Sequence, residues 1–140
     1  ARPTDPTDPV AVTEHLIGVF GVIGSPGYPT PRDAMRERIG RAVRRSYDPA
    51  GTARQLLAVI ASGDRRKLLA TITAPTRVLH GAADPRVPIG AGRDTAAHIP
   101  GARLEVIDGM GHDFPEALMP RLADLIAGHC TASTGDHRPT

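Results

Sequence analysis

Apolar residues recur every three or four positions through the first half of the chain and gather into short unbroken runs in the second half. This change of period separates a helical region from a mixed one. From Val10 to Phe20, and on to Ile23, the residues Val12, Leu16, Val19, Phe20 and Ile23 share one helical face, and Gly24-Ser25-Pro26-Gly27 ends the pattern in a turn. Thr30, Pro31 and Asp33 read as a cap, a first helical position and a capping-box partner. The stripe Ala34, Met35, Arg38, Ile39, Ala42 and Val43 follows from them. Asp48-Pro49 repeats the cap-then-proline signal and opens a third helix with Ala53, Leu56, Leu57 and Ile60 inward, stopped by Gly63. Asp64 opens a short fourth helix through Leu68 and Leu69.

Beyond Thr73-Ala74-Pro75 the texture is different. Thr76-Arg77-Val78-Leu79-His80 predicts a strand, Gly92 to His98 a helix, and Arg103-Leu104-Glu105-Val106-Ile107 a second strand. Pro115 to His129 predicts a last helix with Leu118, Leu122, Leu125 and Ile126 inward. Strand, helix, strand, helix with short connections is a parallel βαβα unit with a right-handed crossover, which puts the chain in the α/β class. Pro and Asp dominate the start, so the expected organisation is a flexible lead-in over 1–9, a helical region over 10–72, an α/β region over 73–130 and a loose tail over 131–140.

Composition narrows the function classes. The chain has 140 residues, enough for one domain with a real core. Its net charge of +2 is too small to imply nucleic acid, and two Tyr, two Phe and no Trp leave few rings for base stacking. All but Lys67 of the 17 basic side chains are Arg, which with the many Ala, Gly and Pro residues reads as a coding bias. Arg36, Arg41, Arg44 and Arg45 mostly fall off the apolar stripe and form a solvated face, or else the binding face of a helical interaction module. Cys130 stands alone, so no internal disulfide forms and a reducing cytoplasm is the expected compartment. No apolar run approaches the ~18 residues of a membrane span, and the start lacks signal-peptide regions. Ala1 fits either removal of an initiator Met or an incomplete chain.

The chemistry-bearing loops are His80-Gly81-Ala82-Ala83-Asp84-Pro85 and Gly109-Met110-Gly111-His112, each directly after a predicted strand. Ligands in open α/β sheets meet the loops at the carboxyl ends of strands. A carboxylate there can hold an imidazole in one tautomer and stabilise the imidazolium, while the imidazole moves a proton. Gly109 and Gly111 let the backbone turn tightly and bring His112 back over the sheet. Singly, an Asp-Pro after a strand is a turn or cap and a Gly-x-Gly-His is an ordinary loop. Joint placement on consecutive parallel strands is what points to a site. His80 is expected to end its strand and Asp113 to cap the last helix. His80, Asp84 and His112 lack a spacing diagnostic of zinc, so no metal is expected.

Thr73 to Pro85, with Ile99-Pro100-Gly101-Ala102 and Gly109-Met110-Gly111-His112, resembles the C-terminal end of α/β-hydrolase-fold proteins. It is most similar to the esterase and lipase-like branch that includes aclacinomycin methylesterase-type enzymes. Ile23-Gly24-Ser25-Pro26-Gly27 and Ser46-Tyr47-Asp48-Pro49 resemble the helical cap of that branch, so the resemblance covers about Val10 to His129. It implies Asp84 as catalytic acid, His112 as catalytic base, residues between Val10 and Leu69 lining an apolar pocket, and hydrolysis of a small apolar carboxylic ester by serine acyl transfer without a cofactor. Epoxide hydrolases, dehalogenases and haloperoxidases of the same fold share similar loops, so the substrate class is weakly determined.

One member of that machinery is missing. No Gly-x-Ser-x-Gly elbow surrounds Ser25, Ser46, Ser62 or Ser133. Ser25 comes nearest, but Ile23 stands where the first Gly belongs and a helical pattern precedes it. The early strands and the oxyanion-hole loop are absent too. The expectation is therefore an incomplete sheet: the cap and C-terminal part of a longer esterase, inactive alone, completed by an N-terminal hydrolase piece or self-associating through an exposed strand edge. Two other readings stand beside it. One is a non-catalytic helical interaction module around Arg36 to Arg45, whose binding weakens with salt. The other is a serine enzyme built on Ser25.

Overall fold

Asp-Pro pairs open two of the helices. In the computed structural model, which describes residues 3–134, Asp8 accepts the backbone N–H of Val10 at 2.9 Å and of Ala11 at 3.3 Å, and Asp48 accepts that of Gly51 at 2.8 Å. Each carboxylate satisfies N–H groups that the first helical turn leaves unpaired, and the following Pro needs no donor there. Helix α1 accordingly runs over Pro9–Ile23 and α3 over Pro49–Ala61. The first helix thus begins inside the expected lead-in, because Asp8-Pro9 carries the same signal as Asp48-Pro49. Helix α2, Arg32–Arg45, starts without a side-chain cap. Pro31 occupies the cap position, which puts Thr30 outside the helix, and Asp33 pairs with Arg36 at 2.7 Å. The expected capping box does not form.

The chain divides into two compact units, one comprising the residues up to Val22 with Thr30–Arg65, the other Ile23–Pro29 with Arg66 onward. In the first unit, Val12, Ile17, Met35, Ile39 and Val43 are buried together, with Leu16 and Phe20 packed against them. The buried face of α1 includes Thr13 and Ile17, so it is rotated from the purely apolar stripe. Thr13 can enter because its hydroxyl donates to the Pro9 carbonyl at 2.6 Å, leaving no unsatisfied polar group. Arg32 and Arg36 each reach Glu14 at 2.7 Å, and Arg36 draws the Glu14 carboxyl below its ordinary pKa.

Helix α3 corrects the expectation of an inward face. None of its residues is buried; Ala53 is exposed, as are Leu56, Leu57 and Ile60, the last 67% exposed. Its amphipathic pattern has no surface in its own unit to pack on.

The second unit holds a short helix α4 (Arg66–Leu69), strand β1 (Arg77–Gly81), helix α5 (Ile89–His98), strand β2 (Arg103–Ile107), a 3₁₀ turn over Glu116–Leu118 and helix α6 (Met119–Thr134). β1 and β2 pair in parallel, from Arg77 opposite Arg103 to Gly81 opposite Ile107. Among the described residues the sheet has these two strands alone. Both strands are buried at their carboxyl ends, at Gly81 and Ile107. Ile107, Met110, Leu118 and Leu122 form the core here, with Tyr28, Leu79 and Leu125 against it.

Several boundaries differ from the expected ones. β1 continues one residue past His80, and α5 starts at Ile89 behind Pro88. The last helix follows a 3₁₀ turn and starts at Met119, with Pro120 in the first turn, where its missing N–H costs nothing. Ile126 is 54% exposed, so the inward face of α6 ends at Leu122 and the half-buried Leu125. Residues 131–134 continue α6, while the rest of the expected tail, 135–140, and the first two residues of the lead-in lie outside the described residues. No helix among the described residues is long and apolar enough to cross a membrane.

Candidate active site

The parallel pairing puts the two candidate loops side by side at the carboxyl ends of β1 and β2. The loop after β1 is laced to its neighbour by the backbone: Ala82 N–H donates to Ile107 O at 3.0 Å and Ala83 N–H to Met110 O at 2.9 Å. These bonds carry Asp84 to His112, whose Nδ1 lies 2.7 Å from Asp84 Oδ2. The other carboxylate oxygen accepts the N–H groups of Arg86 at 2.8 Å and Val87 at 2.9 Å. Asp84 is thus fixed at both oxygens before any ligand arrives.

The electrostatics follow from those contacts. Burial alone would raise the Asp84 pKa, but the Val87 N–H, the His112 ring and the Arg86 N–H outweigh it and hold the carboxyl below its ordinary value. An ionised carboxylate only accepts hydrogen bonds, so Nδ1 of His112 carries the shared hydrogen, and in the neutral ring this tautomer leaves the lone pair on Nε2. The Asp84 side chain is 7% exposed and that of His112 36%. A buried acid therefore holds an accessible base, which is the arrangement that proton transfer to and from a substrate requires.

The glycines of the His112 loop have separate tasks. Gly109 has φ +72°, a conformation that other residues adopt only with strain. Gly111 is needed for space, because a Cβ there would collide with the backbone of Gly24 and Ile23. His112 N–H donates to Ile23 O at 2.7 Å, and Gly27 N–H to Gly109 O at 2.9 Å. The turn after α1 is therefore part of the support of this loop, a contact that no local pattern in the sequence announces.

Other candidates are engaged elsewhere. His80 Nε2 lies 2.8 Å from Val87 O and its ring packs on the buried Gly92, so it braces the loop that holds Asp84. Ser25 is buried; its hydroxyl donates to Asp113 Oδ1 at 2.5 Å and accepts Gly111 N–H at 2.9 Å. Asp113 does not cap the last helix: Pro115 precedes the 3₁₀ turn, and the Asp113 carboxylate is turned inward to Ser25. In the Arg-rich helix, Arg36 is paired with Glu14 and Asp33, and Arg41 with Glu37. Among the described residues no group of three or more His, Cys, Asp or Glu is placed to share a metal ion.

Comparison with known proteins gives the site a context. The chain is 41% identical over 66 residues to rhodomycin D methylesterase DauP of Streptomyces sp. (strain C5), and 38% identical over 66 residues to rhodomycin D methylesterase DnrP of Streptomyces peucetius. Each match covers 47% of this chain and 22% of the relative's length. A solved structure, the His-tagged serine hydrolase involved in carbazole degradation (CarC enzyme), superposes with a TM-score of 0.60 at 18% identity, over 91% of this chain and 48% of that one. No family model matches the sequence.

Proposed function

Since the chain belongs, as a partial chain, to the α/β-hydrolase-like family, we propose that Asp84 and His112 are the acid and base of a carboxylic-ester hydrolase. The observation that carries this reading is the 2.7 Å contact between His112 Nδ1 and a carboxylate whose other oxygen is held by two backbone N–H groups. In this reading a serine, supplied with its oxyanion hole from sequence outside these 140 residues, attacks the ester carbonyl. Nε2 of His112 takes the serine proton and returns it to the departing alkoxide. In the second half-reaction the same nitrogen takes a proton from water, which attacks the acyl-enzyme, and hands it back to the serine as the acid leaves. Asp84 stays ionised throughout and stabilises the imidazolium.

In the same reading residues 10–72 are the cap region, whose residues line an apolar acyl or alcohol pocket, and residues 73–130 are the α/β portion of the enzyme. Two relatives are named as methylesterases, so a carboxylic methyl ester is the first substrate class to try. The test is co-expression of this chain with the N-terminal portion of such a relative, carrying its Gly-x-Ser-x-Gly turn, followed by assay of methyl-ester hydrolysis. Turnover that requires both pieces and disappears in His112→Ala is expected. Turnover indifferent to His112, or no turnover with any matched piece, would overturn the reading.

A further inference from the structure

His112 is flanked in the chain by two residues that one hydroxyl holds. Ser25 Oγ accepts the N–H of Gly111 at 2.9 Å and donates to Asp113 Oδ1 at 2.5 Å, across 86 and 88 residues of sequence respectively. Between these anchors the N–H of His112 itself donates to Ile23 O. Gly111, Asp113 and Ser25 are all buried, so water does not substitute for any of these bonds without rearrangement. The Gly111 N–H can only donate, so it takes one of the two lone pairs of Ser25 Oγ, and the single hydroxyl hydrogen is directed to Asp113 Oδ1. The direction of every bond in the bracket is thereby fixed.

Resting on the acid–base reading of Asp84 and His112, we propose that Ser25 and Asp113 are positioning residues that set His112 against Asp84. Ser25 does this by clamping residues 111 and 113, which leaves the backbone of His112 no freedom to swing its ring away from the carboxylate. Removing the hydroxyl strands a buried N–H and a buried carboxylate together, and both then seek other partners by moving the loop. Placement errors of about 1 Å are enough to cost an acid–base group most of its effect. The chemistry of this clamp also accounts for a serine that sits near the site yet sends its proton to Asp113.

The ring proton on His112 Nδ1 reports the geometry directly in the 140-residue chain. It is read by proton NMR with ¹⁵N-labelled histidine and assigned by its disappearance in His112→Ala. We expect a hydrogen-bonded, slowly exchanging signal in the unaltered chain and in Ser25→Thr. In Ser25→Ala and Asp113→Ala its exchange with solvent should be at least about ten-fold faster, while the backbone amides of β1 and β2 keep their shifts. Where Ser25→Ala does not fold, Ser25→Cys carries the same test, its thiol being a weak donor and acceptor. An unchanged exchange rate in these variants would overturn the positioning role and leave the Asp84–His112 pair standing. Absence of the signal from the unaltered chain would overturn the pair and the positioning role together.

Discussion

Asp84 is where the largest effects of a single atom are expected. Replacing it with Asn keeps the shape but can turn an N–H₂ toward His112 Nδ1, which must then accept, so that Nε2 carries the hydrogen and can no longer take one from a serine. Reconstituted turnover in Asp84→Asn should fall on the order of 10⁴-fold, the size of the same change in a serine-protease triad. A fall of less than ten-fold would remove Asp84 from the mechanism. The ionised carboxyl also leaves a trace in stability. Its folded pKa lies below the unfolded value of about 3.9, so between the two the unfolded state binds more protons and stability rises with pH. The contribution is fully present above the unfolded pKa and is lost as pH falls through the folded one. Denaturant midpoints measured from pH 2 to 7 should show a shallower acid limb in Asp84→Asn than in the parent chain, and identical limbs would contradict the assignment. The contact between Asp84 and His112 was legible at this scale because their loops each follow a strand of the same parallel pair. The clamp from Ser25 was not, since it joins residues 88 apart through a buried side chain.

Helices and strands differ in how much of themselves the sequence discloses, and the difference tracks whether the determinant is local. β2 lies where its apolar run predicts, and α3 opens at Asp48-Pro49, because a cap acts within three residues. Asp8→Ala, which removes the matching cap on α1, should destabilise the chain by about 1 kcal/mol in denaturant unfolding. No change would reduce the Asp8 contacts to decoration. The inward face of a helix depends instead on what lies opposite it, and there the periodicity of α6 overreached: Leu122 is buried, while Ile126 one turn later is 54% exposed. Leu122→Ala should accordingly cost about 2–5 kcal/mol and Ile126→Ala no more than about 0.5 kcal/mol. Equal losses would mean that α6 packs through both.

On the scale of the whole molecule, the unexplained cost is exposed apolar surface. Parallel sheets ordinarily have both faces covered and more than two strands, yet β1 and β2 pair only with each other among the described residues. α3 exposes Leu56 (58%), Leu57 (65%) and Ile60 (67%) along a single helix. Both features fit a chain that spans 22% of the curated relatives it matches and 48% of the solved structure it resembles. Surface of this kind favours association when nothing else covers it. The isolated chain should therefore sediment as concentration-dependent oligomers, and Lys at positions 56, 57 and 60 should shift it toward monomer. Helicity should not fall in that variant, since Lys is a good helix former and the replaced side chains are exposed in the folded chain. Oligomers that survive the triple change would place the sticky surface at the free edge of β1 instead. A chain monomeric at all concentrations would show that neither surface drives association. Co-expression with the N-terminal portion of a methylesterase relative then separates two causes of insolubility. If the missing sheet is what β1 lacks, the complex becomes monodisperse even with Leu56, Leu57 and Ile60 intact; if α3 alone is responsible, only the Lys variant does.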